Sequence, residues 1–188
     1  MSYLESLFTK YGTDKGIWGY TPYYEEAMEK RRFDVRNVLE IGICGFRDIP
    51  NNVVGASLFV WRDYFPNAEI YGVDNDGRFI FNDQHRIHTA MCDAYDQHEF
   101  FKVIQKWNLK FDMIIDDAVH DPAPQRELLI GLSPWLVDDG RYFVEEACPY
   151  KVNGDILDFY KAGLHPRAFK ALHACVTHKP EVLVIGIK

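Results

Sequence analysis

The chain reads as an α/β protein, a three-layer sandwich around a mostly parallel seven-stranded sheet with a C-terminal antiparallel hairpin. Three observations carry that reading. Short apolar runs alternate with stretches whose apolar residues recur every three or four positions, the signature of strands interleaved with helices. Several apolar runs end in acid: V-L-E at Val38–Glu40, I-Y-G-V-D at Ile70–Asp74, F-D-M-I-I-D at Phe111–Asp116 and Y-F-V-E at Tyr142–Glu145. The last two runs, Phe169–Thr177 and Val182–Ile187, are joined through His178, Lys179 and Pro180, too short a link for a parallel crossover. With 188 residues, a single domain over 1–188 is expected, divided into an N-terminal lid and helix (1–34) and a core (35–188).

The elements follow in order. Leu4–Phe8 is a short amphipathic piece. The glycine-rich segment from Tyr11 to Tyr20 reads as a loop or lid. Thr21 and Pro22 predict a helix start, with Thr as N-cap and Pro at the first helical position, running to about Arg32. A strand is expected over Arg36–Ile41, then a loop over Phe46–Val54 broken by Pro50 and Asn51-Asn52. Gly55–Phe65 is helical, with Leu58, Trp61 and Phe65 on one side. Asp76–Asn82 is a short helix or turn, and Arg86–Met91 a third strand. Asp96 and Glu99 have capping-box spacing ahead of a helix whose face is Phe100, Val103, Ile104 and Trp107. Asp121-Pro122 opens another helix bearing Leu129, Leu132 and Leu136, and Asp138-Asp139-Gly140 turns into the strand at Tyr142–Glu145. Gly154–Lys161 is a helix closed by Gly163. Such an open sheet is Rossmann-like, and its ligands belong in the crevice at the carboxyl ends of the strands, where strand order reverses.

Composition narrows the function classes. The formal charge of −7 argues against a binder of the nucleic-acid backbone. Of the four cysteines, Cys44, Cys92, Cys148 and Cys175, no pair has C-x-x-C spacing. The N-terminus has no basic, apolar leader pattern, and no run approaches the ~18 apolar residues of a spanning helix. A soluble, cytoplasmic protein is expected, without membrane or nucleic-acid partners.

Two groups of residues can carry chemistry. Glu40, Gly42 and Gly45 form E-x-G-x-x-G after the first strand, but a long loop separates Gly45 from the next helix at Gly55. A helix N-terminus gripping a pyrophosphate is therefore not expected. A ligand with a ribose and an amino-acid tail needs no such grip, and S-adenosylmethionine is one; a plain tight turn is the alternative. Asp74 is placed to accept from ribose hydroxyls, or else to form a turn in D-N-D-G, and Asp93 holds the matching place after the third strand. The second group is I-I-D-D-A-V-H, Ile114–His120, with F-V-E-E, Phe143–Glu146. Asp117, Glu145 and Glu146 would converge at the rim of neighbouring strands and suit Mg²⁺, unless they form a solvated acidic rim. Adjacent strand residues face opposite ways, so Glu145 and Glu146 can share an ion only where the strand has ended or bulged. His120, three residues after Asp117, suits a general base, or caps a loop.

At these motifs the sequence resembles class I S-adenosylmethionine-dependent methyltransferases, and among them the metal-dependent sugar O-methyltransferases of macrolide biosynthesis, of the mycinamicin and tylosin type. The resemblance rests on K-Y-G-T-D-K-G and G-Y-T-P-Y-Y near the start, V-L-E-I-G-I-x-G, G-A-S-L-x-x-W-R-D-Y-F-P-N-A-E-I-Y-G-V-D, I-I-D-D-x-x-H and D-G-R-Y-F-V-E-E, across residues 5–150. It implies that Glu40, Gly42 and Gly45 line the methionine part of the cofactor, Asp74 holds the ribose, and Asp93 and Ala94 flank adenine. Thr13, Ser57, Asn75 and Asp116 complete the implied cofactor contacts. Asp117, Glu145 and Glu146 would bind Mg²⁺, with His120 and Asp117 catalytic and the Thr13–Lys15 loop closing over the site. Cys44 departs from a usual glycine, and Ala118-Val119 from the common pair before the histidine. The implied acceptor is a hydroxyl of a small molecule such as a sugar or glycosylated natural product; homo-oligomerisation is left open. The rival readings are a non-catalytic S-adenosylmethionine-binding module and an NAD(P)-dependent dehydrogenase, the latter disfavoured by the missing G-x-G-x-x-G.

Overall fold

The computed structural model describes residues 1–43, 53–81, 85–148 and 151–162, together with the strands at 171–175 and 182–186. Gly45, most of the Phe46–Val54 loop, Gly163 and the His178–Pro180 link lie outside the described residues. The helices are α1 (Tyr3–Tyr11), α2 (Thr21–Met28), α3 (Ala56–Tyr64), α4 (Gln97–Trp107), α5 (Pro122–Leu132) and α6 (Ile156–Lys161). The strands are β1 (Asn37–Ile41), β2 (Glu69–Asp74), β3 (Ile87–Met91), β4 (Phe111–Asp116), β5 (Leu136–Val144), β6 (Ala171–Cys175) and β7 (Val182–Gly186). The expected α/β architecture around a parallel sheet is present, with β3-β2-β1-β4-β5 all parallel. Beyond them, β7 pairs antiparallel with β5, and β6 antiparallel with β7.

Alternation along the strands divides the core in two. Val38, Ile70, Met113, Ile115 and Phe143 pack under α1, α2 and α3 with Phe8, Tyr24 and Trp61. Leu39, Ile41, Tyr71, Val73, Ile114, Tyr142 and Val144 face the other way, against α4, α5 and α6. The central strands β1, β2 and β4 are therefore buried on both faces, which is why their runs read as continuous apolar segments.

Local sequence explains most element ends. Ser2 and Glu5 form a reciprocal capping box for α1, which runs past the expected Phe8 to stop at Gly12 in the left-handed region. A 3₁₀ turn, Asp14–Gly16, follows in what reads from sequence as loop. Thr21 is the first residue of α2 rather than its cap. Tyr20 holds the cap position without a side-chain bond, and the helix gives way at Met28 to a 3₁₀ turn, Glu29–Arg31. Asp96 and Asp121 cap α4 and α5 as their spacing implies, accepting from Glu99 N and Ala123 N. Strand β5 begins at Leu136, earlier than expected. Its register jumps from Phe111↔Leu136 to Met113↔Arg141, and the expected turn survives as an irregularity with Asp139 at φ 64°.

Gly42, just past β1, has φ +83°, and a Cβ there would stand 2.3 Å from the Asp117 carbonyl oxygen and 2.7 Å from Ala118 Cα. Only glycine lets the loops after β1 and β4 approach this closely. Gly42→Ala should lower the unfolding free energy by at least ~2 kcal/mol in urea titrations, from left-handed backbone strain plus the clash. Gly19→Ala, at φ +78° but with open space around its Cβ, should cost only the backbone part, about 1 kcal/mol.

Candidate active site

Hydrogen bonding extends one residue past β1, β3, β4 and β5. Gly42 N donates to Val73 O, Cys92 N to Asp74 O, Asp117 N to Ile41 O and Glu145 N to Asp116 O, each at 2.9 Å. These bonds align Gly42, Cys92, Asp117 and Glu145 along the carboxyl edge of the sheet. Strand order reverses between β1 and β4, so the crevice opens beside Gly42 and Asp117.

The period of two then decides which side chains meet. Glu40 shares a face with Val38, Asp117 with Met113 and Ile115, and Glu145 with Phe143, and all these apolar partners lie on the side of α1–α3. On that side is Lys15, 1% exposed, from the turn after α1. Its ammonium lies 2.6 Å from Asp117 Oδ2, 2.7 Å from Glu145 Oε2 and 3.2 Å from Glu40 Oε1. The Tyr24 hydroxyl donates to the second Glu145 oxygen, and Trp61 Nε1 donates to Glu40 Oε2 at 3.0 Å. Tyr24 stacks on Phe143 with centroids 4.3 Å apart, so aromatic rings wall the charges off from water. Burial pushes the Glu40 and Glu145 carboxyls above their usual range, helped by the charge of Asp117 and opposed by Lys15. Burial would raise Asp117 too, but Lys15 and His120 outweigh it and hold that carboxyl below its usual value. Lys15 itself is held well above an ordinary lysine: burial opposes its charge, and the three carboxylates more than compensate.

Chain reversal after β5 settles the geometry of the Glu145-Glu146 pair. The strand ends at Val144, and Glu146 sits at φ 51°, in the left-handed region. Glu146 is thus released from alternation, but it turns to His120, its Oε2 2.7 Å from Nδ1. The other ring nitrogen, Nε2, lies 3.4 Å from Asp117 Oδ1. Burial lowers the imidazole pKa, but hydrogen bonds and charge from Asp117 and Glu146 dominate and push it up to about 10. Asp116 faces the opposite layer, where Tyr95 donates to its Oδ1 at 3.1 Å. Burial raises its carboxyl to about 7, against the Tyr95 bond.

Beside this cluster, on the β1–β2–β3 side, a cleft of about 270 Å³ is lined by Gly42, Asp74, Asn75, Asp93 and Ala94, with Asp117 at its edge. Sequence reasoning named all of these. It missed Tyr95, Ala118 and Val119, which line the same cleft. Asp74 accepts from Ile43 N at 3.0 Å and Asp76 N at 2.9 Å, which fixes the loops at the cleft mouth. Thr13, Glu40, Ser57 and Asp116 are not among the lining residues. Glu40 and Asp116 are fully buried, Thr13 caps the turn that carries Lys15, and Ser57 hydrogen-bonds Glu40. Gly45 lies outside the described residues.

No family model matches the chain. It is, however, 33% identical over 145 residues to 8-demethyl-8-(2-methoxy-alpha-L-rhamnosyl)-tetracenomycin-C 3'-O-methyltransferase of Streptomyces olivaceus, a match covering 76% of this chain and 36% of that one. It is 32% identical over 148 residues to L-olivosyl-oleandolide 3-O-methyltransferase of Streptomyces antibioticus, again with 76% and 36% covered. The MycE methyltransferase of mycinamycin biosynthesis, solved with Mg and SAH, superposes with a TM-score of 0.77 at 27% identity, over 100% of this chain and 55% of its own. The chain is a relative of the antibiotic-sugar O-methyltransferases. It spans about a third of the length of the curated relatives it matches, and about half of MycE. This methyltransferase relative has the class I fold, and among the described residues no helix is long and apolar enough to cross a membrane.

The donor set suits a hard cation, since Asp117, Glu145 and Glu146 offer only carboxylate oxygens. The expected triad is nevertheless not preassembled: among the described residues no three metal-ligating side chains converge on one point. The reason is visible in the pairings, with Lys15 between Asp117 and Glu145 and His120 between Asp117 and Glu146.

Two titrations follow. With EDTA present, the His120 ring protons should report the charged form until the pH approaches about 10, read by NMR; its contribution to stability is complete below about 6.5 and lost as pH rises through 10. Asp116 is raised in the folded state, so its ionisation costs stability as pH climbs from about 4 through 7. Asp116→Asn should therefore stabilise the cofactor-free protein more at pH 8 than at pH 5, by an amount on the order of 1–4 kcal/mol in denaturant titrations.

Proposed function

We propose that the chain is an S-adenosylmethionine-dependent, Mg²⁺-assisted O-methyltransferase acting on a hydroxyl of a small molecule, a sugar or glycosylated natural product. The observation that carries this is the junction at the β1/β4 crevice. A cleft with Asp74 and Asp93 at successive strand ends adjoins a histidine flanked by two carboxylates. The relatives are named as sugar-hydroxyl methyltransferases, and one MycE structure is described as a complex with Mg, SAH and mycinamycin VI, which supports the same reading.

In this reading Asp74 holds the ribose hydroxyls, Asp93 and Ala94 flank the adenine, and Gly42 admits the methionine portion against bare backbone. Asn75 borders the same cleft. Glu40, Ser57, Thr13 and Asp116 support the cofactor from behind the lining, with Gly45 completing the first loop. When bound, S-adenosylmethionine supplies a sulfonium methyl and Mg²⁺ supplies acidification and orientation of the acceptor hydroxyl. Asp117, Glu145 and Glu146 would hold the ion. His120 takes the hydroxyl proton, for which it must first be neutral. Engagement of Asp117 and Glu146 elsewhere relieves the two contacts that keep it charged. The remaining work of the chain is orientation, holding acceptor oxygen and methyl carbon in line. A cytoplasmic setting accords with the buried Cys92 thiol, which forms no disulfide.

Calorimetric titration of S-adenosylhomocysteine should give micromolar binding that Asp74→Ala weakens by at least ~100-fold, since two hydroxyl contacts and the loop anchor are lost together. His120→Ala should bind the product normally yet transfer methyl to no sugar or catechol acceptor. Absence of binding to the unmodified protein would overturn the reading; binding with an His120→Ala variant as active as the parent would reduce the chain to a cofactor-binding module.

A further inference from the structure

A cation already stands where two of the proposed metal ligands meet. Lys15 reaches both Asp117 Oδ2 and Glu145 Oε2 within 2.7 Å. The second oxygen of Glu145 accepts from Tyr24, and the residue is 2% exposed. Both Glu145 oxygens are thus engaged by donors from the N-terminal layer. A Mg²⁺ ion needs oxygens at about 2.0–2.1 Å. It cannot take the same pair of oxygens while an ammonium remains between them, because the like charges would sit a few ångströms apart in an aromatic-walled, poorly solvated space.

We propose that Lys15 is the residue that sets the site's affinity for divalent cations: Lys15 and the metal are alternative occupants of the seat between Asp117 and Glu145, and the metal enters only as Lys15 withdraws. The inference rests on the proposed metal role of those carboxylates. Lys15 lies in a short turn held by backbone bonds from Ile17 N and Trp18 N to Asp14 O, from Gly19 N to Gly16 O and from Tyr20 N to Lys15 O, the last of which runs through Lys15 itself. Withdrawal of the side chain therefore loosens this turn. Exposed Ile17 and Trp18 form its outer surface, while Gly16 packs on the buried Phe8 at its inner one.

The test measures metal affinity rather than turnover. Mn²⁺ binding, followed by the EPR signal of the free ion, is compared between the full chain and Lys15→Met, both with S-adenosylhomocysteine present. The methionine variant should bind at least about tenfold more tightly, the effect of deleting a competing charge. Equal or weaker binding by Lys15→Met would overturn the proposal, because Lys15 would then be a support for the ligands. Hydrogen exchange on the unaltered chain is independent of the variant's folding: saturating Mg²⁺ should accelerate exchange at the Trp18 and Tyr20 amides. Metal binding that leaves those amides unchanged or slower would also overturn it. Retained S-adenosylhomocysteine binding in EDTA, measured on the same samples, separates failure of this proposal from failure of the methyltransferase reading.

Discussion

One electrostatic constraint governs this end of the molecule. Alternation along neighbouring strands places Glu40, Asp117 and Glu145 on one face, the first and last buried and Asp117 partly so, and burying carboxylates without a cation is far costlier than leaving them in water. Lys15 answers that cost, and it comes from a segment with no place in the sheet. The helices on that side, α1 to α3, therefore do more than cover apolar strands. Tyr24 and Trp61 donate to the same carboxylates that Lys15 pairs, and their rings pack on Phe143 and Phe8. Packing and charge compensation are one arrangement here, so the N-terminal layer cannot be disturbed without altering the site.

The cleft depends on a different constraint, the closeness of two loops. Gly42 lets the turn after β1 lie against the backbone of Asp117 and Ala118. That contact brings Asp117 to the edge of the cleft lined by Asp74, Asp93 and Ala94. Asp117 therefore touches the cleft on one side and the Lys15 and His120 charges on the other.

Much of this was legible in the residues because the signals are local. Apolar runs ending in acid place the central strands to within a residue or so, and cap chemistry at Asp96 and Asp121 places two helix starts. The cleft-lining residues follow from their positions at strand ends. What was not legible depends on partners far along the chain. Thr21 looks like a cap, but Tyr20 takes the position, its N–H bonded back to Lys15 O and its carbonyl accepting from Tyr24 N. The early start of β5 comes from pairing of Leu136 with Phe111, which no local pattern announces. Glu146 was expected beside its neighbour, yet the left-handed backbone that frees it also delivers it to His120. Lys15 was hidden most thoroughly. A lysine among glycines reads as solvated loop, and its burial becomes readable only after strand register shows three acids on one face with nothing to balance them.

The long reach of that lysine bears on how the chain assembles. Lys15 joins Asp117 and Glu145 across sequence separations of 102 and 130 residues. The ammonium is synthesised well before the carboxylates that retain it, and those carboxylates come together only once β4 and β5 have been laid against β1. Until then Lys15 has no partners to hold it, even where α1 already packs through Phe8 on Trp61. Contacts of such long range form late because their loop-closure entropy is large. The turn that carries Lys15 is thus made before the sheet yet among the last parts to settle, and its arrival marks the completion of the parallel sheet.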